Sequence, residues 1–195
     1  MYEQKEILTK WLRILFYIQI ASMVITAINA VSYLDNITGW LSKGCAVVAI
    51  WSFLQLKDVH PRYQTTAIAK AAVLICGLLT TSVNTFVPTF AGILMLAGSL
   101  GSLVASYQEY HAHGELVEET SPRLGKQWKD LFVWEIVVGL GISALSVVGT
   151  IVMVSADMLS GTITTVIMAL TALSNLAFQG LYLWYMKRTL NLLVT

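Results

Sequence analysis

Six long apolar blocks constrain this chain more than any other feature of its sequence. They run approximately over 11–33, 37–56, 66–87, 89–107, 130–154 and 160–186. A helix that rises about 1.5 Å per residue needs about 20 apolar residues to cross a hydrocarbon core of about 30 Å. Each block meets that length. The sequence therefore predicts an all-α fold, a polytopic bundle of six transmembrane helices that forms one domain over residues 1–195 and whose first partner is the lipid bilayer.

Composition excludes several classes of protein. Charged residues make up 12% of the chain and hydrophobic residues 56%, whereas a soluble domain has about 25% charged residues. The longest predicted connection is a cytoplasmic loop over 108–129, well below the roughly 40 residues that a domain needs to fold without staples. An attached soluble catalytic or DNA-binding domain is therefore excluded. The net charge of +1 provides no basic attraction, so nucleic acid is not an expected partner.

The distribution of lysine and arginine predicts the orientation of the bundle. Eleven of the 12 cations fall on the side that holds both chain ends. They are Lys5, Lys10, Arg13, Lys57, Arg62, Lys70, Arg123, Lys126, Lys129, Lys187 and Arg188, and Lys43 alone falls on the other side. Because cytoplasmic segments carry the excess of cations, we expect a multi-pass protein of the plasma or inner membrane with both termini in the cytoplasm.

The odd-numbered spans share a spacing that suggests an internal repeat. Ser22-x3-Thr26-x2-Asn29 in span one matches Gly77-x3-Thr81-x2-Asn84 in span three, and Gly139-x3-Ser143-x2-Ser146 follows in span five. Each odd span would run outward and each even span would return, which predicts three parallel helical hairpins. Chance matching among small residues is the alternative. The prolines lie at block edges, at Pro61, Pro88 and Pro122, where each is expected in the first turn of a helix.

Polar side chains recur at helical spacing inside the spans. The predicted ligand or pathway residues are Gln19, Ser22, Thr26, Asn29, Lys43, Thr81, Asn84, Thr171, Asn175 and Gln179. An unpaired amide in hydrocarbon costs several kcal/mol, so these faces must meet another helix or water. We expect them to converge on a polar cavity at the bundle axis, with interhelical hydrogen bonds as the alternative. Lys43, the lone outer cation, is placed to attract an anionic ligand.

Small residues indicate where helix backbones approach closely. The predicted packing residues are Gly98, Gly101, Ser102 and Ala105 in span four and Gly139 and Ser143 in span five. Contacts within the chain are the favoured interpretation. Two such faces on span four also fit a homo-oligomer, which stays open as an alternative.

Ionisable residues near the ends of spans are candidates for specific roles. Lys70 and Glu135 have opposite sign at similar depth in repeat-equivalent spans, so an ion pair between them is predicted. Glu109 and His113 would share a face if span four continued as a helix. Two ligands do not make a metal site, so no metal is expected, and a solvated helix end followed by an acidic turn is the favoured interpretation.

The functional hypotheses rest on these patterns because the sequence contains no recognised catalytic motif, phosphate loop or dinucleotide fingerprint. No cofactor is expected and a protein without enzymatic activity is favoured, although intramembrane enzymes can hide such signals. The leading hypothesis is a transporter or channel subunit for a small polar solute. The alternative is a non-transporting scaffold or regulator that contacts a cytoplasmic or membrane protein through 108–129. There Trp128 lies between Lys126 and Lys129, as in an interfacial segment.

Overall fold

The computed structural model describes the backbone of residues 2–31, 35–83, 87–155 and 160–194. In these ranges it is all-α, with six helices. They are α1 (Tyr2–Val31), α2 (Asp35–Gln55), α3 (Pro61–Val83), α4 (Pro88–Glu118), α5 (Pro122–Ser155) and α6 (Ser160–Val194). All six are long and apolar enough to cross a lipid bilayer. The prediction of a six-helix, multi-pass membrane protein is confirmed at this level.

The helices are longer than the apolar blocks. Three of them begin at Pro61, Pro88 and Pro122, as predicted. The loop predicted over 108–129 is wrong, because α4 continues to Glu118 and α5 begins at Pro122. With 31 residues, α4 is about 46 Å long and exceeds the hydrocarbon core of about 30 Å. Hydropathy detects only the lipid-facing part of such a helix, so the more polar turns beyond it resemble a loop in the sequence.

The helices contact one another in a ring. Each helix contacts the next one along the chain, and α6 returns to α1. The contact between α3 and α4 is the most extensive, and α4 also touches α6. Three successive hairpins would give this order of neighbours, and the internal repeat itself stays a prediction.

The buried core lies at one end of the ring, which we call the core end. It contains the start of α1 and the end of α6. Its largest fully buried apolar side chains are Trp128, Tyr63, Phe53, Leu12, Leu56 and Met186. Farther from the core end, the Cβ positions of Gly39, Gly44 and Gly77 have no atom of another described helix within 4 Å. The buried apolar cluster is therefore concentrated at the core end.

Two glycines set the crossing of α4 and α5 at the core end. A Cβ on Gly114 would lie 2.9 Å from the carbonyl oxygen of Gly125, and a Cβ on Gly125 would lie 2.9 Å from that of Gly114. Both neighbours are backbone atoms, which cannot rotate away as a side chain can. Glycine is therefore required on both helices by this close approach.

The small residues predicted to pack helices fall into two groups. A Cβ on Gly101 would lie 3.0 Å from Val73 Cγ2, and one on Gly98 would lie 3.6 Å from Cys76 Cβ, so both glycines face α3. On α5, by contrast, the Cβ position of Gly139 has no atom within 4 Å among the described residues. The glycines of α4 therefore pack against α3, as predicted for contacts within the chain. Gly139 of α5 has no close contact with another helix in the described part of the chain.

Candidate functional site

A cavity of about 480 Å³ lies between α1, α2, α3 and α4, and we call it the α1–α4 cavity. Its polar and charged lining comprises Gln19, Ser22, Ser42, Lys43, Lys70, Ser102 and Ser106. Small side chains such as Ala46, Ala49 and Ala105 leave the space open. Along α3 the lining extends from Lys70 to Leu78, a rise of about 12 Å. The cavity thus combines polar and apolar side chains within segments that are apolar enough to span a membrane.

The two lysines of the cavity lie at different depths. Lys70 lies near the core end, where its Nζ is 5.4 Å from the ring centroid of Phe53. Lys43 lies farther out on α2, and its Nζ is 4.5 Å from the ring centroid of Trp40. The described residues that line the cavity include no aspartate or glutamate. Its charged lining is therefore entirely cationic.

Lys70 connects the cavity to a group of polar side chains at the core end, which we call the buried network. It consists of Lys70, Glu109, Tyr182, His113 and Tyr63. Lys70 Nζ lies 2.9 Å from Glu109 Oε2, and the Tyr182 hydroxyl donates a 2.6 Å hydrogen bond to Glu109 Oε1. His113 Nε2 lies 3.3 Å from that hydroxyl, and His113 Nδ1 lies 2.9 Å from the hydroxyl of Tyr63.

With a neutral His113, one arrangement of protons satisfies every contact in the buried network. Because the Tyr182 hydroxyl donates its hydrogen to Glu109, it can only accept from His113. His113 then carries its hydrogen on Nε2, and Nδ1 accepts from the Tyr63 hydroxyl. The chain of hydrogen bonds thus runs from Tyr63 through His113 and Tyr182 to the Glu109 carboxylate, which Lys70 neutralises. A buried charge is retained in proteins when it is paired in this way.

The buried network holds three helices together and fixes the position of Lys70. Tyr63 and Lys70 lie on α3, Glu109 and His113 on α4, and Tyr182 on α6. The fourth side is closed by Trp128 of α5, whose ring centroid lies 4.8 Å from that of His113. With His113 and Trp128 fully buried, water is excluded from this side. The network therefore anchors Lys70 at the core end of the α1–α4 cavity.

Several residues predicted from sequence meet at the cavity. Gln19, Ser22, Lys43 and Ser102 all line it. Ser102 and Ala105 were predicted as packing residues, and they line the cavity from α4. Lys70 also lines the cavity, although the sequence placed it in an ion pair rather than among the ligands.

Other predicted pathway residues lie elsewhere. Thr26, Thr81 and Thr171 donate their hydroxyl hydrogens to carbonyl oxygens four residues earlier in their own helices. A threonine satisfied in this way needs no wet surroundings. Asn175 is exposed on α6, away from the cavity. The side chains of Asn29 and Asn84 lie outside the described residues.

Gln179 does not line the cavity, and Glu135 does not pair with Lys70, although both were predicted to do so. Gln179 Oε1 and Glu135 Oε2 are buried without a hydrogen-bond partner in the described part of the chain. Lys70 forms its ion pair with Glu109, not with the predicted partner Glu135. The polar face of α1 lines the cavity, whereas no residue of α6 is in the described lining. The rotation of each helix about its own axis decides which faces meet, and the sequence pattern does not specify that rotation.

The stretch predicted as a solvated helix end is instead part of the core. Glu109 and Tyr110 are buried, as are His113 and Val117. Trp128 is 0% exposed, and its Nε1–H donates a 3.1 Å hydrogen bond to Thr189 Oγ1. The signal in the sequence was the four-residue spacing of Glu109 and His113, which puts both on one face of a continued α4.

The sequence analysis did not identify Tyr63 or Tyr182 as members of the buried network. Tyr182 continues the polar face of α6, but a tyrosine alone does not indicate a functional site. No group of three or more His, Cys, Asp or Glu side chains that could hold a metal ion occurs in the described ranges.

A second, larger depression of about 690 Å³ lies between the first turns of α1 and the end of α6. Its lining includes Lys5, Lys10 and Arg13, which are all exposed. Exposed basic side chains near the end of a membrane helix are typical of the headgroup interface. The α1–α4 cavity, which is lined by four helices and linked to a buried network, is the better candidate site.

Comparison of the chain with protein-family models, with curated proteins and with solved structures finds no match. Function is therefore inferred from the chemistry of the cavity.

Proposed function

We propose that this chain is a small transporter or channel subunit that binds a small polar solute in the α1–α4 cavity. The observation that carries the proposal is a space of about 480 Å³ lined by seven polar or charged side chains from four helices. Binding sites for small molecules typically measure about 300–1,000 Å³. Polar side chains within a membrane are costly unless they meet partners or water, so their concentration around one cavity supports a role in solute handling.

The proposed orientation follows from the charge distribution. With 11 of the 12 lysines and arginines on the side of the chain ends, both termini would lie in the cytoplasm of a plasma or inner membrane. The cavity would then lie outward of the core end. This is tested with single cysteines at the exposed positions Lys57 and Ile37, introduced into a variant in which Cys45 and Cys76 are replaced by alanine. An impermeant reagent applied to intact cells should modify only the cysteine at position 37.

The alternative role as a scaffold acting through 108–129 loses its main support. Most of the apolar side chains of that segment, including Val117, Leu124 and Trp128, are buried within the chain. They are not available to a partner unless the core end opens.

A ligand-dependent melting experiment tests the proposed function. The purified protein in detergent would be heated with each member of a panel of small polar solutes, since a ligand that binds only the folded state raises the apparent Tm. Ser102→Leu should abolish the shift because it fills the cavity from α4. Thr81→Val is the matched control, since the exposed Thr81 hydroxyl is bonded to its own helix. An equal shift in both variants, or no shift with any solute, would contradict the proposal.

Uptake of the identified solute into proteoliposomes then distinguishes transport from binding. We expect solute-specific uptake that Ser102→Leu abolishes and Thr81→Val retains. Binding without uptake would restrict the role to a solute-binding subunit.

A further inference from the structure

The charge of the α1–α4 cavity indicates the class of its ligand. Two lysines from different helices line it, and the described lining contains no carboxylate. The nearest countercharge to Lys70 is Glu109, which is 6% exposed and faces the buried network rather than the cavity. The Lys43 ammonium contacts the face of Trp40 and forms no ion pair with a described residue. Glu109 compensates the charge of Lys70, so a neutral solute would leave the charge of Lys43 without a countercharge among the described residues.

We propose that the α1–α4 cavity binds a small anion that carries carboxylate or phosphate groups, with Lys70 as its ligand near the core end and Lys43 as the second cation of the lining. The inference rests on the proposed function and names the substrate class of the same cavity. Ammonium groups make strong, charge-assisted hydrogen bonds to such oxygens. The serine hydroxyls of Ser22, Ser42 and Ser102 supply further donors along the lining.

Glu109 has a defined part in this scheme. It holds the Lys70 side chain at 2.9 Å at the core end of the cavity and is itself held by Tyr182. Lys70 has three hydrogens on its ammonium group, so it can contact Glu109 and an anion together. An anion that binds there shares Lys70 with a resident carboxylate, which limits affinity and allows release.

The same anionic chemistry could come from a soluble solute or from the headgroup of an anionic lipid. The proposal is tested with inorganic phosphate and succinate as soluble probes and with succinamide as a neutral analogue of succinate, all at matched ionic strength. Phosphatidylglycerol and phosphatidylcholine, added to the same detergent, form the lipid arm. The Tm of the purified chain is measured with each, and we expect a concentration-dependent rise with succinate or phosphate but not with succinamide.

Lysine variants connect the shift to the cavity. Lys43→Met should weaken the apparent affinity by at least about tenfold, because it removes one of the two positive charges of the lining. Lys57→Met is the matched control, since Lys57 is exposed and lies outside the cavity. Lys70→Met leaves a buried carboxylate unpaired and risks misfolding. The double variant Lys70→Met/Glu109→Gln removes both charges together, and it should also lose the anion-dependent shift.

The outcomes separate the two proposals. A rise in Tm with soluble anions that requires Lys43 and Lys70 supports both the solute function and the anion site. Shifts only with phosphatidylglycerol that require the same lysines support the anion site and assign it to a lipid headgroup, which contradicts the solute function. An equal shift with succinamide, unaffected by the lysine variants, overturns the anion inference and leaves the solute function intact. If no anion gives a lysine-dependent shift, the inference is wrong.

Discussion

Replacing Gly114 with alanine tests the crossing of α4 and α5, on which the buried network depends. The added Cβ would lie 2.9 Å from the Gly125 carbonyl oxygen, about 0.5 Å short of an ordinary contact at 3.4 Å. Since the neighbour is backbone, the helices themselves must separate. Overpacking of this kind costs about 1–3 kcal/mol, and the better helix propensity of alanine offsets about 1 kcal/mol at most. With the full offset, we expect a net loss of up to about 2 kcal/mol in the free energy of unfolding.

Gly139→Ala is the matched control for this change. It makes the same substitution in the interior of α5, where no described atom lies within 4 Å of the new Cβ, so its effect should lie between zero and a gain of about 1 kcal/mol. Both free energies are measured by titration with sodium dodecyl sulfate in mixed micelles. Gly114→Ala/Gly125→Ala should cost less than the sum of the single variants, because the first methyl already separates the helices. Equal effects of Gly114→Ala and Gly139→Ala would refute the crossing.

Three further changes test the core end. Tyr182→Phe removes the donor to Glu109 and should cost about 1–3 kcal/mol, measured in the same titration, whereas Tyr17→Phe at a 61% exposed position should change stability by less than about 0.5 kcal/mol. Trp128→Ala should lower the free energy of unfolding by about 3–5 kcal/mol because the Trp128 side chain is fully buried. A loss below about 1 kcal/mol would indicate that 108–129 is a surface segment after all. Glu109→Gln removes the resident competitor for Lys70, so succinate should bind about fivefold more tightly, which corresponds to ~1 kcal/mol. Weaker binding would contradict the competition and show that the hold of Glu109 on Lys70 matters more.

The sequence predicts the helical architecture well because membrane helices are specified locally. Apolar length sets the number of helices, and proline in the first turn sets three of their starts. Their full length was not predictable from hydropathy, because the last turns of α4 are covered by protein rather than lipid. Glu109 illustrates the limit, since a carboxylate at a helix end has the same sequence signal whether it is solvated or buried against Lys70 and Tyr182.

The candidate site was predictable in part. Periodicity places Gln19 and Ser22 on one face of α1, and both do line the cavity. Periodicity says nothing about the rotation of that face relative to other helices, which is why Asn175 is exposed on α6 instead of joining it. Threonine hydroxyls that bond to their own helix, such as that of Thr171, further weaken the link between a polar stripe and a shared cavity.

The most direct test of the account is whether water reaches the α1–α4 cavity. Cys45 lines it, and Cys76 faces α4 beside Gly98, while both are free and partly buried. Each would be isolated by replacing the other with alanine, and membranes would be treated with a water-soluble maleimide. The account predicts that Cys45 is modified at least about tenfold faster than Cys76 and that succinate slows its modification. A Cys45 that reacts only after unfolding would contradict the claim that this cavity is a solute site.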